Sequence, residues 1–90
     1  MLLPTRAFER SARRLAQRIA AVADDLPVVL ALLEEDAFHP SLRTHKLKGK
    51  LSGSWACSAG YDVRLVFQFV NQEGREAILL EAVGSHDEVY

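Results

Sequence analysis

Apolar residues recur along the first third of the chain with a helical period. Phe8, Ala12, Leu15, Ile19 and Val22 follow one another at spacings of 4, 3, 4 and 3. That makes one apolar stripe on a helix, with the arginines mostly on other faces. Thr5 stands just before the stripe as an N-cap, so the spacing predicts a helix from Arg6 to Ala23. Leu26, Val29, Leu30 and Leu33 form a second stripe and predict a helix ending near Asp36. Asp24 or Asp25 is its expected N-cap, and Pro27 fits a first turn, where a missing N–H costs little. Two helices joined by so short a turn are expected to form an antiparallel hairpin. Met1 to Pro4 is short and apolar, and suits an edge strand.

The pattern breaks at His39-Pro40-Ser41, because a residue before proline disfavours the helical region. Residues 39–53 combine Pro40, Gly49 and Gly53 with four cations and read as an irregular loop. Functional residues often sit on such segments. Three strands are expected beyond it: Ser54 to Ala59, Val63 to Val70, and Glu76 to Val83. Turns at Gly60-Tyr61-Asp62 and Asn71-Gln72-Glu73-Gly74 make hairpins of them. The predicted class is α+β, with an N-terminal helical hairpin packed on one face of a small, mainly antiparallel sheet. No internal repeat or low-complexity tract interrupts this plan.

Composition narrows the setting. Ninety residues suit a single domain over 1–90. A hydrophobic fraction of 49% and a charged fraction of 26% are ordinary for a globular chain. Cys57 is the only cysteine, which rules out a disulfide scaffold and fits a reducing compartment. No apolar run approaches the ~20 residues a membrane span needs, so no membrane partner is expected. MLLPTRAFER lacks the apolar core of a signal peptide. A cytoplasmic protein is the expectation.

Charge is more informative by segment than in total. The net charge of −1 argues against a strongly basic nucleic-acid binder. Residues 1–23 nevertheless carry +4, residues 24–36 carry −5, residues 37–71 carry +4 and residues 72–90 carry −4. A local basic patch can bind phosphate on a near-neutral protein. The first basic block reads equally well as a solvated helix face. The second, with Arg43, Lys46, Lys48, Lys50 and Arg64, is denser and lies in a loop, which favours function.

Familiar catalytic motifs are missing: there is no G-x-S-x-G elbow, no P-loop and no G-x-G-x-x-G. The spacing of His39, His45 and His86 matches no zinc motif, and Cys57 has no partner, so no metal or other cofactor is expected. What remains is His45, Asp62 and His86 beside Arg64 and the lysines. Asp62 opens the central strand and His86 follows the last, so an antiparallel meander can bring them to one edge of the sheet. Arg64 is two residues from Asp62 and is expected on the same face. Imidazoles, a carboxylate and cations together suit RNA cleavage. One group takes the 2′-hydroxyl proton, another protonates the departing 5′-oxygen, and a cation stabilises the phosphorane. The nucleophile belongs to the substrate, so the chemistry needs no metal. The bland alternatives are plain. Asp62 is a favoured turn residue, Arg64 can pair with Glu81 across the sheet, His86 can cap a C-terminal turn, and Trp55 is more often core than a stacking platform.

Three segments carry a resemblance: HKLKGKLSGSW from His45 to Trp55, YDVRLVFQF from Tyr61 to Phe69, and VGSHDEVY from Val83 to Tyr90. Together they resemble the RelE/ParE superfamily of bacterial toxins, and its YafQ-like branch of type II toxin–antitoxin systems most closely. The FERSARRL and LRTHKLKG segments fit as well, so the resemblance covers nearly the whole chain. It implies a ribosome-dependent endoribonuclease that cuts mRNA and is neutralised by a cognate antitoxin protein. His45 matches the histidine of the family's H-x-L-x-G motif, Asp62 its acidic residue seventeen positions later, and His86 its C-terminal histidine. Arg64 matches the strand arginine of the RelE branch, which contacts the scissile phosphate, and Tyr90 that branch's terminal tyrosine. On this footing His86 is the expected general acid and Asp62 or His45 the base; an unperturbed histidine pKa of about 6.5 suits either role. Arg64 steadies the phosphorane, while Arg43, Lys46, Lys48, Lys50 and Tyr90 hold RNA.

The match is not complete. Ser58 falls where some YafQ-like members carry a second histidine, Ala82 where they carry an arginine, and Val63 where a tryptophan adjoins the acid. Two further readings therefore accompany the nuclease: a ParE-like toxin that inhibits DNA gyrase without cutting RNA, and a degenerate toxin that only binds its antitoxin.

Overall fold

The computed structural model describes residues 1–90. Strand β1 (Leu2–Pro4) leads into helix α1 (Arg6–Arg18), and helix α2 (Ala21–Glu35) follows after two residues. Single 3₁₀ turns at Pro40–Leu42 and Gly49–Leu51 flank a two-residue strand, β2 (His45–Lys46). Strands β3 (Trp55–Gly60), β4 (Val63–Gln72) and β5 (Arg75–Ser85) come next, and a one-turn helix, α3 (His86–Val89), ends the fold. The five strands form one sheet in the order β1-β5-β4-β3-β2. Only the β1–β5 pair is parallel; the others are antiparallel. The α+β architecture expected from the sequence is present, with β1 at one edge.

Thr5 caps α1 as the sequence predicts. Its Oγ1 accepts the Phe8 amide at 3.0 Å and donates to the Leu80 carbonyl at 2.8 Å, which pins the helix start to β5. The end of α1 differs from expectation. The helix stops at Arg18 because Ile19 turns extended, with φ −126° and ψ 96°. Ile19 is exposed, and Val22 is buried from α2. The apolar spacing continues smoothly across the break, so periodicity alone reads one helix where there are two. Asp24 and Asp25 are not caps either. The N-cap is Ala20, which has no capping side chain, and Pro27 lies inside the helix as its seventh residue. Its missing N–H leaves a carbonyl free one turn earlier, at exposed Ala23, where water can satisfy it.

The two helices cover one face of the sheet. Phe8, Leu15, Val22, Leu26 and Leu33 from the helices meet Cys57, Leu65, Phe67, Ile78, Leu80 and Val83 from the strands in one buried cluster. Phe38, after α2, closes this layer against Trp55 and Phe69, with ring centroids 5.4 and 5.6 Å away. Trp55 thus belongs to the packing. Period-two alternation sends the intervening residues of β4 to the opposite face. Arg64 pairs there with Ser58 on β3 and Gly84 on β5.

The β4–β5 turn is a two-residue connection, Glu73-Gly74, with φ of 52° and 82°. Positive φ at both positions is the hairpin geometry that matches strand twist, and the Asn71 side chain accepts the Gly74 amide at 3.0 Å. The ladder slips once, since Val66 faces Ala82 and Phe67 faces Leu80. Glu81 is the extra residue of this bulge. Its carboxylate accepts a 2.7 Å hydrogen bond from the buried Ser54 hydroxyl. Arg64 lies opposite Gly84, so the alternative Arg64–Glu81 pair does not form and Glu81 bonds Ser54 instead. Phe67 is fully buried at the centre of the core. Phe67→Ala is expected to lower the unfolding free energy by about 3–5 kcal/mol, measurable by urea denaturation.

Candidate active site

His45 lies in the edge strand β2 and not in a loop before the sheet, pairing with Ala56 of β3. Successive strand residues point to opposite faces, so His45 and Lys46 separate. Lys46 extends over the Trp55 ring, its Nζ 5.5 Å from the centroid. His45 shares a cross-sheet row with Ala56, Val66 and Ala82, next to the row of Ser58, Arg64 and Gly84. Small residues in these rows leave the helix-free face low.

The His45 ring has a defined tautomer. Nδ1 is 2.9 Å from the carbonyl of Arg43. A carbonyl only accepts, so Nδ1 carries the proton and Nε2 keeps the lone pair when the ring is neutral. Arg43 holds its carbonyl there from a left-handed conformation, φ 53°, that is uncommon outside glycine.

The C-terminal turn brings in the second histidine. Ser85 caps α3 by accepting the Glu88 amide at 3.3 Å, while Glu88 accepts the Ser85 amide at 2.9 Å. This reciprocal pair is a capping box. Arg18 at the end of α1 reaches across to Glu88 at 2.6 Å. Close packing fits α3 against the sheet, since a Cβ on Gly84 would lie only 3.1 Å from Val89 and 3.2 Å from Glu88. Asp62 completes the attachment: its Oδ1 accepts the His86 amide at 3.4 Å. Asp62 and His86 do meet at one end of the sheet, but through the backbone of His86 and not its ring. Asp62 itself sits in the β3–β4 turn at φ 52°, so strand alternation does not extend to it.

Tyr90 lies between the two histidines. Its ring centroid is 4.6 Å from that of His86 and 6.4 Å from that of His45, edge-on in both cases. Partial burial raises its hydroxyl above the usual tyrosine value, and the nearby Arg64 charge opposes that shift. Lys48 and Lys50 border a shallow hollow against Tyr90 together with Leu47 and Leu51. Arg43, Asp62 and Arg64 line a neighbouring cleft. The fold therefore gathers His45, Arg64, His86 and Tyr90, flanks them with Arg43, Lys48 and Lys50, and leaves Lys46 on the other face. The His86 ring has one carboxylate neighbour, Asp87, at 3.6 Å. Cys57 takes no part. Burial pushes its thiol up to about 12, so it remains an apolar filler.

The arrangement joins two imidazoles, one with a fixed free nitrogen, to a guanidinium on an open face rimmed by cations. Sequence reading missed Arg18, Ser85 and Glu88, which hold His86 in place. The signal was present as S-x-x-E at Ser85–Glu88, which announces a helix start.

A model of the bacterial toxin of type II toxin–antitoxin systems, YafQ, matches residues 1–90. The chain belongs to the YafQ family. Toxins of this family are known ribonucleases. No curated protein sequence matches the chain. Among solved structures, a metal-bound toxin from Helicobacter pylori is 27% identical, with a TM-score of 0.74 over 100% of this chain and 98% of that one. YafQ from E. coli strain BL21(DE3) is 14% identical, with a TM-score of 0.81 over 100% and 97%. YafQ in the E. coli DinJ-YafQ toxin–antitoxin complex is 15% identical, with a TM-score of 0.77 over 100% and 96%. The two E. coli structures share the fold. In this YafQ-family chain no three His, Cys, Asp or Glu side chains form a group that would hold a metal ion.

The attachment of α3 is expected to titrate. Hydrogen bonds from Ser85 and Arg18 hold the Glu88 carboxyl down at about 2, against an ordinary value of 4.5. Its contribution is complete above about 4.5 and is lost as pH falls through about 2. NMR titration should show the Ser85 and His86 amides shifting together with Glu88 in that window, and Arg18→Ala should move the midpoint upward.

Proposed function

We propose that this chain is a ribosome-dependent endoribonuclease that cleaves mRNA, uses no cofactor, acts in the cytoplasm and is neutralised by a cognate antitoxin protein. The carrying observation is the convergence of His45, with its free Nε2, on His86, Arg64 and Tyr90. Family membership supplies the context, and the DinJ-YafQ complex supports an antitoxin partner.

The proposed chemistry balances within the substrate and these side chains. His45 Nε2 takes the proton from a ribose 2′-hydroxyl. The 2′-oxygen forms a bond to the adjacent phosphorus as the bond to the 5′-oxygen breaks. His86, in its imidazolium form, gives its proton to that leaving oxygen. The products are a 2′,3′-cyclic phosphate and a 5′-hydroxyl. Arg64 faces the charge that develops on the phosphorane. Lys48, Lys50 and Arg43 hold neighbouring phosphates.

Between the two candidate bases, geometry favours His45. Asp62 spends a carboxylate oxygen on the His86 amide and so serves as a positioning residue. Arg64 also answers the arginine replaced by Ala82. Arg64 faces Gly84 and Val66 faces Ala82, so Arg64 stands one diagonal step from that position on the same face.

The test is to induce the chain in bacteria and map mRNA 5′ ends beside a His86→Ala control. New ends within translated reading frames are expected, reduced in the control by about 10²–10⁴-fold. Growth arrest with intact mRNA would replace this reading with a toxin that is not a nuclease. Intact mRNA without arrest, from folded protein, would mean that Ser58 and Ala82 have removed the chemistry. Lys48→Ala and Lys50→Ala should each weaken RNA binding broadly and reduce its salt slope by about 1.

A further inference from the structure

Beside the histidine cluster lies a cleft of about 880 Å³ between α2 and β3. It exists because β2 is so short. Strand β2 pairs only with Trp55 and Ala56, so the outer edge of β3 from Ser58 to Gly60 has no partner strand. Val28, Val29 and Leu32 line it from α2 with apolar side chains, and Tyr61 of the β3–β4 turn lines it as well. Val28 is 69% exposed and Tyr61 99% exposed, so an apolar side chain and the face of a phenol ring both stand open to solvent. Arg43 and Arg64 line the same cleft on the side of the histidines, and Asp25 lines it from α2.

These features have the composition of a nucleobase pocket. Single-stranded RNA is bound by stacking bases on aromatic rings while cations hold the backbone. The volume lies within the range of ligand pockets, about 300–1,000 Å³. Arg43 and Arg64 are common to the cleft and to the phosphate-handling cluster, so a strand whose phosphate lies at the cluster would present a flanking base to the cleft.

We propose that this cleft is the specificity subsite of the nuclease, and that it selects a base bearing an exocyclic amino group. The proposal rests on the nuclease reading for its substrate. Tyr61 stacks on the base, Val28 packs its other side, and Arg43 with Arg64 holds the flanking phosphate. The Asp25 carboxylate only accepts hydrogen bonds, so it pairs with the exocyclic amino group of adenine, cytosine or guanine; uracil offers only its ring N3–H, flanked by two carbonyl oxygens that repel a carboxylate. Asp25 and Tyr61 are both exposed, so replacing them leaves the core intact.

The test is an NMR titration of the folded chain with 2′-O-methyl trinucleotides of adenine and of uracil, which cannot be cleaved. The adenine probe should shift the amides of Val28, Ser58 and Tyr61 and bind about fivefold tighter, or more, than the uracil probe. Tyr61→Ala should weaken adenine binding by about 5–100-fold, and Asp25→Asn should erase the adenine–uracil difference. Shifts confined to Lys48 and Lys50, equal binding of the two probes, or no binding would each overturn the proposal. Mapping of mRNA ends separates the two readings. Cleavage that depends on His86 without discrimination in the titration would sink the subsite alone. Discrimination without cleavage would keep an amino-selective base pocket and remove the nuclease.

Discussion

The ladder between β4 and β5 is the constraint on which the remaining structure depends. It runs from Val63 opposite Ser85 to Gln72 opposite Arg75, bulged once at Glu81. This register assigns Leu65 and Phe67 to the helices and Arg64 to the open face. A slip of one residue would exchange the two sets, burying a guanidinium and exposing a phenyl ring. The same ladder places Asp62 beside the His86 amide. Strand β5 also receives β1 along its other edge, takes the N-terminus of α1 through Thr5, and leads directly into α3. Core, edge and site therefore share one alignment.

The parts legible in the sequence were those governed by local periodicity. The Phe8 and Leu15 stripe, the Thr5 cap, the Val63–Val70 strand and the hairpin turns all follow from nearest-neighbour geometry. Three features depended on distant partners. Ile19 ends α1 because the chain must reverse there to lay α2 on the sheet, and nothing in the apolar spacing marks the reversal. His45 and Lys46 become a strand only because Trp55 and Ala56 offer an edge. Glu81 leaves Arg64 because the bulge brings it to Ser54. At the candidate site, the approach of Asp62 to His86 at one end of the sheet was legible, but the placement of Lys46 on the other face, the His45 tautomer and the attachment of α3 were not. The Arg43 carbonyl that fixes His45 belongs to a backbone conformation that no side-chain motif announces.

Charge in the N-terminal third also acquires a meaning that composition could not supply. Arg18 is part of a basic helix that reads as a solvated surface, yet it grips Glu88 and so restrains the turn carrying His86 and Tyr90. A contact made on the helical side of the molecule thus reaches the opposite face through one carboxylate.

The pairing of Leu2 with Ile78 joins residues 76 apart in the chain. Contacts of such separation form late, because a long loop must close before they return any stabilisation. Helix α1 rests chiefly on β5, so during synthesis it waits without a platform until that strand has left the ribosome. His86 and Tyr90 emerge later still. A growing chain therefore has no finished core until β5 has emerged, and His45, His86 and Tyr90 come together only after that strand is in place.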